Sequence, residues 1–188
     1  MATITHEFAW PDRVVIGTIG RPGSRSFYLQ VRDGRRLVSV GLEKQQSAVL
    51  AEKIEDVLAE LAKVEQNRFS VPESTPLELI DNEPLDQPVD EQFRAGAMTL
   101  GWDPTTAQIV IEAFPLSEID ADALESGLEE GVEFEPEEVL RVSIPVGTAR
   151  AFADRTREIV GAGRPLCPLC GEPLDADDHV CGRLGDGL

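Results

Sequence analysis

The segment that decides the fold is Ser26–Gly41, SFYLQVRDGRRLVSVG. Phe27, Leu29 and Val31 fall at every second position, the period of a strand with one buried face. Asp33-Gly34 then interrupts the alternation. It is a two-residue hairpin signal of the kind in which both turn positions need φ > 0. Arg35–Gly41 resumes as the returning strand. Upstream, Arg13–Ile19 is rich in β-branched residues and reads as a further strand. Downstream, Leu50, Ile54, Val57, Leu58 and Leu61 recur at helical spacing among Glu and Lys, which predicts an amphipathic helix over about 43–66.

The same order returns further along. Thr18-Ile19-Gly20 resembles Thr99-Leu100-Gly101, and each is followed by a polar turn, Arg21-Pro22-Gly23-Ser24 or Trp102-Asp103-Pro104-Thr105. An apolar strand follows each turn, Phe27–Val31 or Ala107–Ala113. Val38-Ser39-Val40 matches Val142-Ser143-Ile144, and Leu50, Ile54, Val57 and Leu58 match Phe152, Thr156, Ile159 and Val160 at one constant offset. One strand–strand–strand–helix unit leaves a sheet face and a helix stripe unburied, so two units packing together is the physical solution. The expectation is an α+β fold with about six mostly antiparallel strands and two helices. It is a duplicated domain over 1–163, with units at about 1–68 and 92–163, a proline-rich linker or surface-hugging loop at about 70–91, and a short tail at 164–188.

Charge divides the chain of 188 residues unevenly. Residues 1–68 carry ten basic and nine acidic groups, a net of +1; residues 69–188 carry seven and 26, a net of −19, which gives the total of −18. That total argues against a surface that grips nucleic acid or an anionic membrane throughout. No apolar run approaches the roughly 20 residues of a membrane helix, and no signal peptide opens the sequence, so a cytoplasmic protein is expected. The acidic groups concentrate in the proline-punctuated 72–91 stretch and in 118–138, which holds ten carboxylates. The plain reading of both is solvation; the sharper one is a surface for a basic partner.

All three cysteines lie near the end, as Cys167-Pro168-Leu169-Cys170-Gly171 and His179-Val180-Cys181. Zinc takes four N or S ligands in a tetrahedron, and a C-x2-C turn puts two thiolates on one side of it. His179 and Cys181 are two apart, so an extended segment points both the same way. A structural zinc held by Cys167, Cys170, His179 and Cys181 is the expectation, with a thiol redox pair at Cys167 and Cys170, or inert cysteines, as the competing readings. Four protein ligands leave no open position for catalysis. The tail is too short for its own core, so the metal would supply its folding energy.

The run Cys167-Pro168-Leu169-Cys170-Gly171-Glu172-Pro173-Leu174-Asp175, closing on His179-Val180-Cys181, resembles the C-terminal signature of an uncharacterised actinobacterial domain-of-unknown-function family. Phe8-Ala9-Trp10-Pro11 through Lys44-Gln45-Gln46 is similar too, so the resemblance spans the chain. It implies a cytoplasmic actinobacterial protein whose relatives are encoded beside histidine-phosphatase-like and phosphoinositide-kinase-like proteins; it implies no activity. The family often shows proline after the last cysteine, where this chain has Gly182.

Other chemistry has little material. His6 stands apart and reads as a surface or edge residue, and no G-x-S-x-G, P-loop or dinucleotide glycine pattern is present. Arg21 and Arg25 in a Gly-Pro loop, with Arg32, Arg35 and Arg36 at the hairpin tip, form a candidate basic patch for an anion, a partner or the chain's own 118–138 segment. The plainer reading is a solvated turn and hairpin. Trp10 is expected in the core; Trp102, in a turn, is a candidate partner contact. The leading expectation is a non-enzymatic, zinc-containing interaction protein acting through a protein partner, with self-association open. The alternative is an enzyme or binding protein for a phosphorylated small molecule, using the arginine loops. Nucleic-acid binding through the same arginines ranks third.

Overall fold

The computed structural model describes residues 3–64, 70–116 and 136–163. Its strands are β1 (Ile4–Ala9), β2 (Arg13–Ile19), β3 (Ser26–Asp33), β4 (Arg36–Leu42), β5 (Glu91–Asp103), β6 (Gln108–Pro115) and β7 (Glu138–Pro145). Two helices, α1 (Lys44–Lys63) and α2 (Val146–Gly161), follow β4 and β7. The chain is thus α+β, and after β1 the order strand, strand, strand, helix occurs twice.

The seven strands form one sheet in the order β1-β7-β6-β5-β4-β3-β2. Pairing is antiparallel except for β1 with β7 and β4 with β5. β1 and β2 therefore end the sheet on opposite sides, yet only Trp10-Pro11-Asp12 joins them. A flat sheet would hold them about 29 Å apart, at about 4.8 Å per strand. The link reaches at most about 15 Å. The sheet must curl, and contacts across the curl show that it does. The Arg36 guanidinium of β4 stacks 4.3 Å from the Phe8 ring centre of β1, and the Gly34 N–H donates to Asp12 Oδ2 at 2.7 Å.

Alternation on β2, β3 and β4 builds two buried faces. The inner rows are Val14–Val31–Val38, Ile16–Leu29–Val40 and Phe27–Leu42. They merge with Ile109, Ile111, Leu140, Val142 and Ile144 of the other strands into the core under the helices. Ser47, Leu50, Ala51, Ile54 and Leu58 are the buried positions of α1; Ala149, Phe152, Ala153 and Thr156, each 102 residues after one of the first four, are those of α2. Thr156 stands where α1 has Ile54, and its hydroxyl is satisfied by the Phe152 carbonyl at 2.6 Å. α1 starts where Gln46 Oε1 accepts the Glu43 N–H at 2.8 Å, one half of a capping box.

The outer rows, Val15–Gln30–Ser39 and Gly17–Tyr28–Gly41, are also covered. The segment expected as a linker or surface-hugging loop is a strap laid across them. Leu85 is buried against Gly17, where a Cβ would come within 2.5 Å of its side chain. Gln30 is fully buried and exchanges hydrogen bonds with the Asp86 backbone, its Nε2 donating at 3.0 Å and its Oε1 accepting at 2.7 Å; Nε2 also reaches Ser39 Oγ at 3.1 Å. A glutamine there answers the strap's backbone, which would otherwise be buried unpaired.

Two expectations are corrected. The hairpin turn is Gly34-Arg35, because Asp33 pairs with Arg36, and only Gly34 takes positive φ, at 56°. That suits a II′-type turn, which needs φ > 0 at its first central residue alone. β1 was not expected: only Phe8 of its residues is buried, so it carries no readable stripe. Among the described residues no helix is long and apolar enough to cross a membrane.

Gly17→Ala is expected to destabilise the fold by about 1–3 kcal/mol through overpacking against Leu85. Leu85→Ala should cost about 2–3 kcal/mol, and the double variant clearly less than the sum of the two. Urea unfolding midpoints measure all three.

Candidate functional site

The strap is pinned by an ionic node between β2, β3 and α2. Arg13 lies mostly buried on β2 and grips Asp81 with both arms of its guanidinium, Nε to Oδ2 at 2.6 Å and Nη2 to Oδ1 at 3.0 Å. The same Nη2 donates to the Glu83 and Pro84 carbonyls, each at 3.0 Å. Arg155 of α2 reaches from the other side. It donates to Ile16 O at 3.2 Å, Asp81 Oδ1 at 3.0 Å and Glu83 O at 2.6 Å, and also to the Asp81 carbonyl. Asp86 Oδ2 lies 3.3 Å from Arg13 Nη1 and 3.1 Å from Arg32 Nε; both contacts are ion pairs without hydrogen-bond alignment.

The electrostatics follow from this packing. The hydrogen bond from Arg13 holds the Asp81 carboxyl below the usual carboxylate range, helped by the Glu83 N–H and opposed by burial. The same bond raises Arg13. Burial lowers Arg155, opposed by the charge of Asp81. An arginine starts so high that it stays charged. Three arginines against two aspartates would leave a surplus positive charge, but five strap and strand carbonyl contacts absorb the donors. The node is a clamp in which the donors of Arg13 and Arg155 face the protein.

Beside it, a cleft of about 640 Å³ opens between the strap and the outer face of α2, lined by Thr75, Ile80, Asn82, Asp154, Arg157 and Glu158. Its charged groups are partly committed: the Thr75 hydroxyl donates to Asp154, and Arg157 to Glu55 of α1. Ile80 is exposed at its rim, and Leu77, one turn back on the strap, is 84% exposed. The arrangement offers mixed polar contacts and an apolar lip, which suits docking of a polypeptide surface.

Cys167, Cys170, His179 and Cys181 lie outside the described residues, as does 117–135 of the acidic stretch. The five arginines do not gather. Arg21 and Arg25 sit at the β2–β3 turn, while Arg32, Arg35 and Arg36 sit at the β3–β4 turn, at opposite ends of β3. Eight strand residues separate these ends by about 23 Å at 3.3 Å per step, so no single small anion meets both groups. Arg25 donates to the Ala162 carbonyl just beyond α2, Arg36 to the Glu7 carbonyl at 3.2 Å, and Arg32 pairs with Asp86. Trp102 is inside β5, opposite Ile109, and packs partly buried against the core. Trp10, expected inside, is 58% exposed with φ of 65°. The short β1–β2 link forces this, because it leaves no residue free to turn the ring inward. His6 is on edge strand β1, where Nε2 lies 2.5 Å from Glu138 Oε1, which also accepts from Gln92 Nε2 at 2.9 Å. Sequence reading missed Arg13, Asp81 and Arg155, since nothing in their local spacing announces partners some 70 residues apart.

The chain belongs to the family described as Protein of unknown function (DUF3090), whose model matches residues 6–181. No curated protein and no solved structure matches it.

Asp81→Asn is expected to cost about 2–3 kcal/mol, less than a fully buried pair because Asp81 keeps partial exposure. The Asp81 carboxyl is depressed on folding, so its contribution is complete above the unfolded value of about 3.9 and is lost as pH falls through the lower folded value. Unfolding free energy measured between neutral and acid pH should therefore drop less steeply at the acid end in Asp81→Asn than in the parent chain.

Proposed function

We propose that this protein is a zinc-containing interaction protein, non-enzymatic, that acts by presenting surfaces to a protein partner. The observation that carries the reading is the donor set Cys167, Cys170, His179 and Cys181, three thiolates and an imidazole within 15 residues. Such a set suits tetrahedral zinc and fills its coordination. Support comes from the extent of the family match, which runs to residue 181, the last of the four donors. In sequence the tail follows α2, whose end is held by Arg25 through the Ala162 carbonyl. Zinc there would organise the short tail, and the tail together with the cleft and its Leu77–Ile80 lip would make the partner surface. The same reading places the protein in the cytoplasm of an actinobacterium, on the strength of the sequence resemblance.

Purified full-length chain is expected to carry about one equivalent of zinc by elemental analysis. Cys170→Ser should lose most of it, while the far-ultraviolet circular dichroism of the α+β fold stays unchanged. Affinity capture from the native cell with the parent chain and Cys170→Ser should differ in the proteins recovered. Zinc below half an equivalent, unaltered by the substitution, would overturn the metal; identical captures would overturn the role of the tail.

A further inference from the structure

β5 is 13 residues long, but β4 pairs with it only at Glu91, Phe93 and Arg94. Just beyond, the Gln46 side chain at the start of α1 donates to the carbonyls of Ala95 at 3.0 Å and Gly96 at 3.4 Å. That closes the edge as far as the bulge at Ala95/Ala97. From Ala97 to Asp103 the strand pairs with β6 in unbroken register and, among the described residues, has no strand on its other side. In an antiparallel ladder alternate residues turn their N–H and C=O away from the partner. Among the described residues the edge is therefore a row of backbone donors and acceptors without partners. Ala97, Thr99 and Gly101 are exposed on one face, and a Cβ added at Gly101 would meet nothing within 4 Å. Met98, Leu100 and Trp102 are half-buried on the other face.

We propose that this edge is a self-association surface, on which β5 of a second copy of the chain pairs antiparallel. Edges are usually blunted by lysine, proline or a bulge. Here the bulge precedes the free stretch, and Ala97–Asp103 contains neither lysine nor proline. Charge selects the occupant. At a net charge of −18 two copies repel over most of their surface, but Ala95–Trp102 bears no charge at all. Its flanks are opposite in sign, Arg94 and Asp103. Arg94, although paired with Glu43 and Glu91 at 3.1 and 3.2 Å, stays 41% exposed. Antiparallel self-pairing brings the basic end of each strand toward the acidic end of its mate, a complementarity the segment has with itself. A two-fold axis then repeats every contact and closes the assembly at two chains. The half-exposed Met98, Leu100 and Trp102 of both copies meet on one continuous sheet face. The inference rests on strand pairing alone and is independent of the zinc reading.

Sedimentation equilibrium of the full-length chain, from micromolar to hundreds of micromolar, is expected to show a reversible step to twice the 20.5 kDa chain mass. The double variant Thr99→Lys/Gly101→Lys places lysines beside the unpaired edge and should weaken the dimer by about tenfold or more. Hydrogen exchange read at Met98, Leu100 and Trp102 in the unaltered chain should slow as concentration rises, a measurement that does not depend on how the variant folds. A monomer at every concentration, or a dimer that the lysines leave equally tight, overturns the proposal. Protection of those amides in the monomer also overturns it, and would assign the edge to another segment of the same chain.

Discussion

Everything in this fold is governed by the brevity of Trp10-Pro11-Asp12. Three residues connect strands that stand at the two ends of a seven-stranded sheet. Covalent geometry allows one outcome, a sheet that bends until its ends approach. The bend gives the core its closed inner side and carries Phe8 of β1 to Arg36 of β4. It also leaves Trp10 in a left-handed backbone conformation on the outside. The two helices then fill the concave side with equivalent stripes, Leu50 and Ile54 on one, Phe152 and Thr156 on the other.

The second layer is unusual in what covers it. Strands β2 to β4 are buried on both faces, but the outer cover is an irregular strap rather than a helix. An irregular backbone lying on a sheet brings polar groups that need partners. Gln30 answers one turn of it, and Arg13 and Arg155 answer the carbonyls of residues 81–84. The carboxylates of Asp81 and Asp86 keep those arginines in place. Ion pairing here serves mainly to fix a geometry; hydrophobic burial of Leu85, worth about 2 kcal/mol, supplies the adhesion.

Local patterns were legible where local physics decides. The β2, β3 and β4 spans and the α1 stripe follow from alternation and helical periodicity, and the equivalence of α1 and α2 shows as one constant offset in sequence. Legibility failed where distant partners decide. β1 has no apolar stripe because only Phe8 turns inward, and its pairing with β7 depends on a segment far along the chain. Prolines and carboxylates marked the strap as a linker or a surface-hugging loop, and the facing Gly17 and Gln30 decide for a segment laid on the sheet. The arginines were grouped by nearness in sequence, whereas β3 holds the two groups a strand's length apart. Trp10, expected in the core, sits instead exposed in the three-residue link, and Trp102 stands on β5, which runs on into the expected turn.

The pairing of β1 with β7 joins Ile4 to Glu138, 134 positions apart. During synthesis β1 must wait, unpaired, while both meanders and α1 are made. A parallel contact of such long range is slow to form, since the chain must close a large loop before gaining anything from it. Until then β7 is the end of the sheet, with an open flank. The flank of β7 is thus the part of the sheet whose cover costs the longest loop closure, with only Phe8 of β1 buried in return.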